Sequence, residues 1–424
     1  MRSFFPETVP VRSSPIRNLL VCSVVAACWA VSGGVIPSRA QAAPAQVAPA
    51  QAVNALALQI FQNAVQQART TYARLAGPPP RVVPGLAQYQ DALAKLQAGQ
   101  LVEASTAMQA ALRANPNSAL YHGDMAAIQI ALQSVDDASI ELVRARQIQP
   151  QNQWYTVGLG AVKALRLQYS EASLNLDVAV SADSAMIDSA MAEAGVAWSW
   201  RGRRTAQAQA WALVATARWP GIAEPWLRLA TLYRQQHDTA RGMPAIRHYN
   251  ALRPADHVGQ LLFAFYLYDA NLNDSALVMA IAAAEDTTQR DRAAEVMYGV
   301  GARSLQLAST DTVRAHQMGH VDTSLIALSG ARAMAADELR PRVQLVLGYA
   351  QLTRVAALDQ EAEHNRACAP AMVLDSLVTQ AAENLRAGVT LDSARVTPIL
   401  DGTIPQYRTR VAALVRQVCG NRRP

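Results

Sequence analysis

A fixed spacing of 34 residues organises the middle of this chain of 424 residues. Alanine recurs at that spacing in two separate registers, and proline does so in a third. The recurring residues are Ala104, Ala138 and Ala172; Ala111, Ala145 and Ala179; and Pro116 and Pro150. A period of 34 is typical of a helix–turn–helix solenoid, in which each unit buries its apolar face only by stacking on its neighbours. The spacing therefore predicts an all-α repeat solenoid, an architecture that serves as a binding surface more often than as an enzyme.

The composition supports helices and gives little support for a nucleic-acid partner. Apolar residues make up 51% of the chain but aromatic residues only 6%, since much of the apolar fraction is alanine. An alanine-rich chain without alternating apolar and polar runs favours helix over sheet. The formal net charge is +6, yet four arginines and one glutamate in residues 1–42 account for half of it. The remaining charge is mixed in sign, so we expect no nucleic-acid partner.

The N-terminal segment has the three parts of a secretory signal. Arginines precede an apolar run over residues 19–36, and Ser38, Ala40 and Ala42 then supply small residues at a cleavage site. A charged start, an apolar middle and a small-residue site together predict a signal peptide over residues 1–42. We therefore expect an exported protein, periplasmic or secreted in a bacterium.

Two alternatives for the N-terminus stay open. The apolar run is about long enough to span a bilayer if it is not cleaved, which would leave an N-terminal anchor. Residues 25–28 read Val-Ala-Ala-Cys and resemble a lipidation site at Cys28. In either case the membrane would be reached only through an uncleaved or lipidated N-terminus.

Export would place the chain in an oxidising compartment, where cysteines pair. Outside residues 1–42 only Cys368 and Cys419 remain, each near the end of a predicted helix. This even number predicts a disulfide that ties the last helix back. No cysteine spacing typical of zinc sites occurs.

Residues 43–84 are predicted to form an Ala/Pro-rich tether followed by a leading helix. Apolar residues recur at about one helical turn from Ala52 to Leu75. Gly77 and the prolines after it then end the helix, because proline cannot continue one. We interpret this helix as a cap on the end of the solenoid. A membrane-surface helix or a dimerisation helix is the alternative.

The repeat can be numbered with Gly85 as position 1, so that units 1 to 3 cover residues 85–118, 119–152 and 153–186. Positions 8, 20 and 27 hold small residues, as two helices packed at about 8–10 Å require where their axes meet. Position 18 holds Asp136, Ser170 and Asp274 in three of the units, and we predict that these residues cap the second helices.

This pattern resembles the tetratricopeptide-repeat (TPR) family. The best match to the first half of the family motif is Trp226, Leu229, Ala230 and Tyr233, at positions 4, 7, 8 and 11 of the fifth unit. The resemblance covers residues 85–290 and implies a TPR-like superhelix. Between units 3 and 5 lies a degenerate fourth unit, for which we expect about two extra residues before Trp219. Residues 291–424 are predicted to form degenerate helical repeats and a C-terminal cap, with a separate helical domain as the alternative.

The resemblance also implies where a partner would bind. In this family the first helices of the units form a concave groove, and most residues at their positions 2, 5, 9 and 12 are apolar or aromatic here. The groove is expected to hold an extended or helical peptide. Trp226, at position 4, is instead expected to pack within the solenoid. The candidate groove residues are Tyr89, Leu93, Leu96, Ile130, Trp154, Val157, Trp198, Leu261, Phe265 and Tyr268.

Catalytic motifs are not found in the sequence. There is no phosphate loop, no GxSxG and no HExxH. His316 and His320 are spaced as metal ligands on a helix would be, but two or three visible ligands are few. We therefore expect no enzyme, no cofactor and no metal, and we interpret the chain as a scaffold for a protein or peptide partner. The alternatives are an envelope lipoprotein that assists outer-membrane assembly and, more remotely, a metal-binding or enzymatic domain after residue 290. The oligomeric state stays open.

Overall fold

The computed structural model describes residues 49–77, 83–365 and 368–419, and in these ranges the regular structure is entirely helical. The predicted signal peptide and cleavage site lie outside the described residues. The helices are α1 Pro49–Ala76, α2 Leu86–Gln97, α3 Leu101–Ala114, α4 Ala119–Ala131, α5 Val135–Ile148, α6 Trp154–Leu165, α7 Tyr169–Ala182, α8 Ser189–Arg201, α9 Thr205–Arg218, α10 Ala223–Gln235, α11 Thr239–Leu252, α12 His257–Asp269, α13 Asn273–Ala283, α14 Arg290–Thr310, α15 Arg314–Met334, α16 Arg340–Asn365, α17 Cys368–Gly388, α18 Ser393–Pro398 and α19 Ile404–Cys419.

From α2 to α13 the helices come in consecutive pairs, which confirms the predicted all-α helix–turn–helix repeat solenoid. The small residues of the repeat lie where the two helices of a pair touch. Ala104, Ala138 and Ala172 are fully buried. A Cβ atom at Gly160 would lie 3.0 Å from the carbonyl oxygen of Ala172, so positions 8 and 20 meet across the pair. Larger residues at these positions would push the two helices apart.

The turn inside each pair is built by one residue with positive φ, at position 15 of its unit when the fourth unit is counted from Ser189. Four of the six residues are neither glycine nor asparagine, the residue types that usually adopt this conformation. The six are Gly99, Gln133, Leu167, Arg203, His237 and Asn271, with φ between 56° and 75°. In the third unit, the N–H of Leu167 donates to the carbonyl of Ala164 and the N–H of Gln168 donates to that of Lys163. These two bonds form a Schellman motif, which satisfies the last carbonyls of the first helix and reverses the chain.

This turn corrects the predicted caps. The second helices begin one residue before Asp136, Ser170 and Asp274, so these three residues lie in the first helical turn and are not N-caps. The physical reason is that the residue at position 15, in the left-handed conformation, already reverses the chain. The second helix can therefore begin at position 17, before the predicted cap at position 18. Asp136 and Asp274 still place negative charge near a helix N-terminus, where the backbone dipole favours it.

The two extra residues of the fourth unit are also placed differently from the expectation. They lie between α7 and α8, where a short 3₁₀ turn covers Ser184–Met186. The connection before Trp219 was predicted to hold them, but α8 to α10 keep the ordinary spacing. Asp188 then caps α8, because its carboxylate accepts the N–H of Met191 at 2.7 Å.

The C-terminal helices α14 to α17 are longer than those of the repeat, and in the described residues beyond 290 no residue has positive φ. One core joins α1 to the helices from α4 to Ala350 of α16, a second lies within units 1 and 2, and a third joins α16, α17 and α19. Cys368 and Cys419 form a disulfide, with their Sγ atoms 2.02 Å apart, which links the start of α17 to the end of α19. Among the described helices, none has the length and apolar character needed to cross a membrane.

Candidate functional site

The first-helix face, defined here as the surface formed by the first helices of units 2 to 4 (α4, α6 and α8), carries the leading helix α1. The helix buries a stripe that repeats every three or four residues, as an amphipathic helix does. Every residue of the stripe is less than a tenth exposed, and the stripe belongs to the same core as α6 and α8. The stripe is Val53, Ala57, Ile60, Phe61, Ala64, Val65 and Ala68. The residues between, such as Leu58 and Gln62, are exposed.

Polar contacts fix the direction and register of α1 on this face. The side-chain amide of Asn63 donates to Asp188 at the start of unit 4, at 3.0 Å. Asn152, just before α6, donates to the carbonyl of Ala68 at 3.0 Å. Arg69 meets Asp124 on α4 at 2.7 Å. Asn63 therefore lies at the start of unit 4, and Ala68 and Arg69 lie at unit 2, so the helix runs against the order of the units.

The middle of α1 approaches α6 closely because both helices present small residues there. A Cβ atom at Gly158 would lie 3.9 Å from the Cβ of Ala64. Val157 and Ala161 beside this glycine are fully buried. α1 therefore packs with its apolar face against α6, as helical ligands pack in the grooves that bind them.

Asp124 is the charged centre of the first-helix face. Its side chain is 1% exposed and accepts two donors, the guanidinium of Arg69 and the phenol of Tyr89, the latter at 2.6 Å. Burial raises the pKa of Asp124, and the charge of Arg69 opposes the rise. Burial is also the main reason that the pKa values of Tyr89 and Tyr155 are raised, with the charge of Asp124 adding to both. A carboxylate in this position requires its cation, since an unpaired buried charge is strongly destabilising.

Four of the predicted groove residues must be reassigned. Trp198 and Val157 are fully buried, and Leu261 and Tyr89 are less than a tenth exposed. Trp198 packs against the preceding unit, with its ring carbon Cζ3 3.6 Å from a Cβ position at Gly160. These side chains fill the spaces between helices, so in this arrangement they are core residues and present no surface to a partner.

The other six predicted residues are half-buried. They pack against the core and keep part of their side chains accessible. They are Leu93, Leu96, Ile130, Trp154, Phe265 and Tyr268. Trp226, expected inside the solenoid, is half-buried as well, with its indole N–H donating to the carbonyl of Pro220 at 2.9 Å.

Phe265 and Tyr268 on α12 lie under arginine side chains that the sequence analysis did not single out. The guanidinium carbons of Arg234 and Arg292 are 4.1 Å and 5.6 Å from the centre of the Phe265 ring. That of Arg303 is 3.8 Å from the centre of the Tyr268 ring. A guanidinium over the face of an aromatic ring makes a cation–π interaction, which stabilises the position of the ring. This part of the sixth unit therefore offers aromatic area edged by positive charge.

The sequence reasoning also missed the polar residues that hold α1. A usable signal existed for one of them, since Asp124 is the only acidic residue in an otherwise apolar first helix. Arg69 lies beside the apolar stripe of α1, which marks it as a second candidate. Asn152 and Asp188 precede their helices and look like ordinary caps, so their sequence context carries no such signal.

His316 and His320 lie on α15, and each has a ring nitrogen 3.5 Å from Oδ2 of Asp311. The N–H of Val313 is the main reason that the pKa of Asp311 is lowered, and the two histidines add to the effect. His316 is two-thirds exposed. Within the described ranges, no group of three or more His, Cys, Asp or Glu side chains is placed to hold a metal ion.

No protein-family model matches this sequence, and no curated protein sequence matches it. Solved structures with similar folds include the C-terminal part of a TPR protein from Cytophaga hutchinsonii, 12% identical over 61% of this chain and 99% of that chain, with a TM-score of 0.41. A TPR protein from Parabacteroides merdae is 10% identical over 69% of this chain and 98% of that chain, with a TM-score of 0.37. PilF of Pseudomonas aeruginosa is 19% identical over 46% of this chain and 89% of that chain, with a TM-score of 0.36.

Proposed function

We propose that this chain is an exported interaction scaffold that binds a protein or peptide partner through the first helices of its repeats. The observation that supports this most is α1 itself, an amphipathic helix lying on those first helices with an apolar stripe and three polar contacts. The surface is thus built to hold a helix. Helix-in-groove binding is a recurrent mode of peptide recognition.

The sixth unit supplies a surface on which a partner could be anchored without moving α1. Phe265 and Tyr268 are half-buried and held by arginines, as described above. Aromatic residues and arginine are enriched among the residues that dominate binding energy at interfaces. A partner segment with apolar and acidic side chains would complement this surface.

Site-specific photo-crosslinking in the native envelope tests the scaffold function. The crosslinker replaces Phe265 or Tyr268, and the control replaces Val178, which is more than half exposed on a second helix. We expect one discrete protein to be captured at the first two positions and not at the control position. Equal capture at all three positions, or none at any, would contradict the proposal.

Export is proposed from the signal pattern of residues 1–42, and the disulfide between Cys368 and Cys419 is of the kind that persists in oxidising compartments. Intact mass of the purified native protein tests this directly. We expect a mature chain that begins near residues 41–43 and carries no acyl group. A mass that includes residues 19–36 would reject cleavage, and an acyl group at Cys28 would favour the lipoprotein alternative.

A further inference from the structure

We propose that α1 occupies the binding site of a partner's helix, so that the partner is an amphipathic α-helix with an arginine that takes the place of α1 on α4, α6 and α8. This inference rests on the proposed scaffold function and names the class of partner. It also makes α1 a built-in competitor, which keeps the face covered until the partner displaces it.

Displacement of α1 would change the surroundings of Asp124. Asp124 would keep Tyr89 as a donor but lose its cation, the guanidinium of Arg69. The carboxylate lies on the apolar face of the array, where an unpaired charge is strongly unfavourable. A replacement helix is therefore accepted only if it brings a cation to the same place. Arginine suits this place because its guanidinium stays charged and reaches Oδ1 of Asp124 through Nε, as Arg69 does, while Tyr89 donates to Oδ2.

The contacts of α1 define the residue spacing that a replacement helix needs. The residue of α1 that lies over Gly158 is Ala64, since a Cβ atom at Gly158 would lie 3.9 Å from the Cβ of Ala64, and a small residue of the helix fits against this glycine. Asn63 before it meets Asp188, and Arg69, five residues after Ala64, meets Asp124. The structure thus assigns a recognition pattern: an amide residue, a small residue next to it, and an arginine five positions further on. Apolar residues occupy the intervening turns on the same side.

α1 belongs to the same chain as the face that it covers. α1 ends at Ala76 and α2 begins at Leu86, so a detached α1 stays close to the face along the chain. A tethered segment competes at an effective concentration of about millimolar. A free helix of equal intrinsic affinity therefore binds the intact chain weakly, and it binds strongly once α1 is weakened. This difference is what an experiment can measure.

The probe is a synthetic fluorescent peptide with the sequence of residues 49–76. The chains are the full-length protein with Cys22→Ser and Cys28→Ser, the same protein with Phe61→Ala, and the same protein with Ala64→Cys and Gly158→Cys. The last pair can form a disulfide, since Cβ atoms 3.9 Å apart meet the usual geometry. Fluorescence anisotropy measures peptide binding with and without reductant. The first chain with and without reductant controls for reduction of the bond between Cys368 and Cys419.

We expect the peptide to bind the Phe61→Ala chain at least about tenfold more tightly than the first chain, because the tethered competitor is weakened. The oxidised cysteine chain should not bind the peptide, and reductant should restore binding. If Phe61→Ala does not fold, the oxidised and reduced states of the cysteine chain provide the same comparison. Equal binding by these two states, or no binding by any chain at about millimolar peptide, would overturn the proposal.

A matched pair of peptides tests the arginine requirement. The Arg69→Glu peptide should bind at least about tenfold more weakly than the parent, because it brings a second negative charge to Asp124. The Arg74→Glu peptide, changed at an exposed position of the same helix, should bind like the parent. Equal binding of all three peptides would reject the recognition pattern. A disulfide-linked dimer of the cysteine chain would instead identify a second copy as the occupant and reject a separate partner.

The scaffold function and this inference fail in different ways. If crosslinker at Phe265 or Tyr268 captures the same partner from oxidised and reduced cysteine chains alike, the scaffold function stands and displacement of α1 is rejected. If neither state captures a partner, the scaffold function itself fails. Capture from the reduced state only supports both.

Discussion

Two stretches of first helices in the same array differ in what lies on them. In units 2 to 4 the leading helix α1 covers the first-helix face, and Val157 there is fully buried. In unit 6 Phe265 and Tyr268 are half-buried and lie under arginine side chains. Packing between the helices of the repeat buries predicted groove residues in both stretches, such as Trp198 and Leu261. Which of the other first-helix residues reach a partner therefore depends on what else the chain lays on that face.

The largest expected effect separates two aromatic residues that the sequence analysis had both placed in the groove. Trp198→Ala should lower the free energy of unfolding by about 3–5 kcal/mol, because a fully buried ring is removed from a packed core. Phe265→Ala should lower it by only about 1–2 kcal/mol, since that ring is half-exposed. Urea denaturation of both variants checks the comparison. A larger loss for Phe265→Ala than for Trp198→Ala would reverse it.

The next effect tests the charged contact that holds α1. Arg69→Ala should cost about 3 kcal/mol of stability, near the lower end for breaking a buried ion pair, because Arg69 is one-third exposed while Asp124 is 1% exposed. Arg74→Ala, at an exposed position of the same helix, is the control and should cost less than about 0.5 kcal/mol.

A double-mutant cycle with Asp124→Asn isolates the pair from other losses. Once Asp124 is neutral, Arg69→Ala should cost much less than in the parent chain. Costs that simply add would show that the two side chains do not interact, and α1 would then not lie in the register described above.

An alkaline pH dependence should follow from the tyrosines around Asp124. Burial raises the pKa values of Tyr89 and Tyr155 above the ordinary value near 10. Above pH 10 the folded chain therefore binds more protons than the unfolded chain, so stability is fully present below pH 10 and falls as the pH rises. Each such tyrosine contributes about 1.4 kcal/mol per pH unit. Urea denaturation at pH 9 and pH 11 measures the fall, and Tyr89→Phe should reduce it; an unchanged fall would place Tyr89 outside the buried cluster.

The smallest expected effect on stability comes from the turns between the two helices of a unit, which lie away from the first-helix face. Leu167 adopts a φ of 61°, which costs a side chain about 1–2 kcal/mol and costs glycine little. Leu167→Gly should therefore stabilise the chain by about 0.5–1 kcal/mol, after the extra entropy that glycine loses on folding. Gly99→Ala, at the same position of the first unit, should have the opposite sign. A loss of stability in Leu167→Gly would mean that the Leu167 side chain contributes packing that outweighs the strain.

The sequence predicts the helix pairs of the repeat, but it does not predict the conformation of their turns or the position of α1 on the first-helix face. The 34-residue period predicted the pairing of helices because buried small residues must recur where helices touch, as at Ala104 and Ala138. The positive φ at position 15 was missed because residues such as Leu167 and Arg203 do not signal that conformation. It is the pair of hydrogen bonds at the helix end that selects it.

The groove could be predicted only in part for a different reason. Positions within a repeat indicate which side chains face the first-helix surface, and Phe265 and Tyr268 in unit 6 are half-buried there while Leu261 is buried. They contain no information about a helix outside the repeat. The leading helix was expected at the end of the solenoid, but its contacts with Asp124 and Asp188 place it across units 2 to 4. Long-range contacts of this kind become visible only when the fold brings the segments together.

Hydrogen exchange of α1 tests the central claim, that this helix lies packed on the first-helix face in the resting protein. We expect backbone amides of residues 53–72 to exchange at least about a hundredfold more slowly than in the isolated peptide, because the helix opens only when its stripe leaves the core. We also expect Arg69→Ala to speed exchange in α1 more than in α12. Exchange of residues 53–72 at the rate of the isolated peptide, with α6 still protected, would contradict the account.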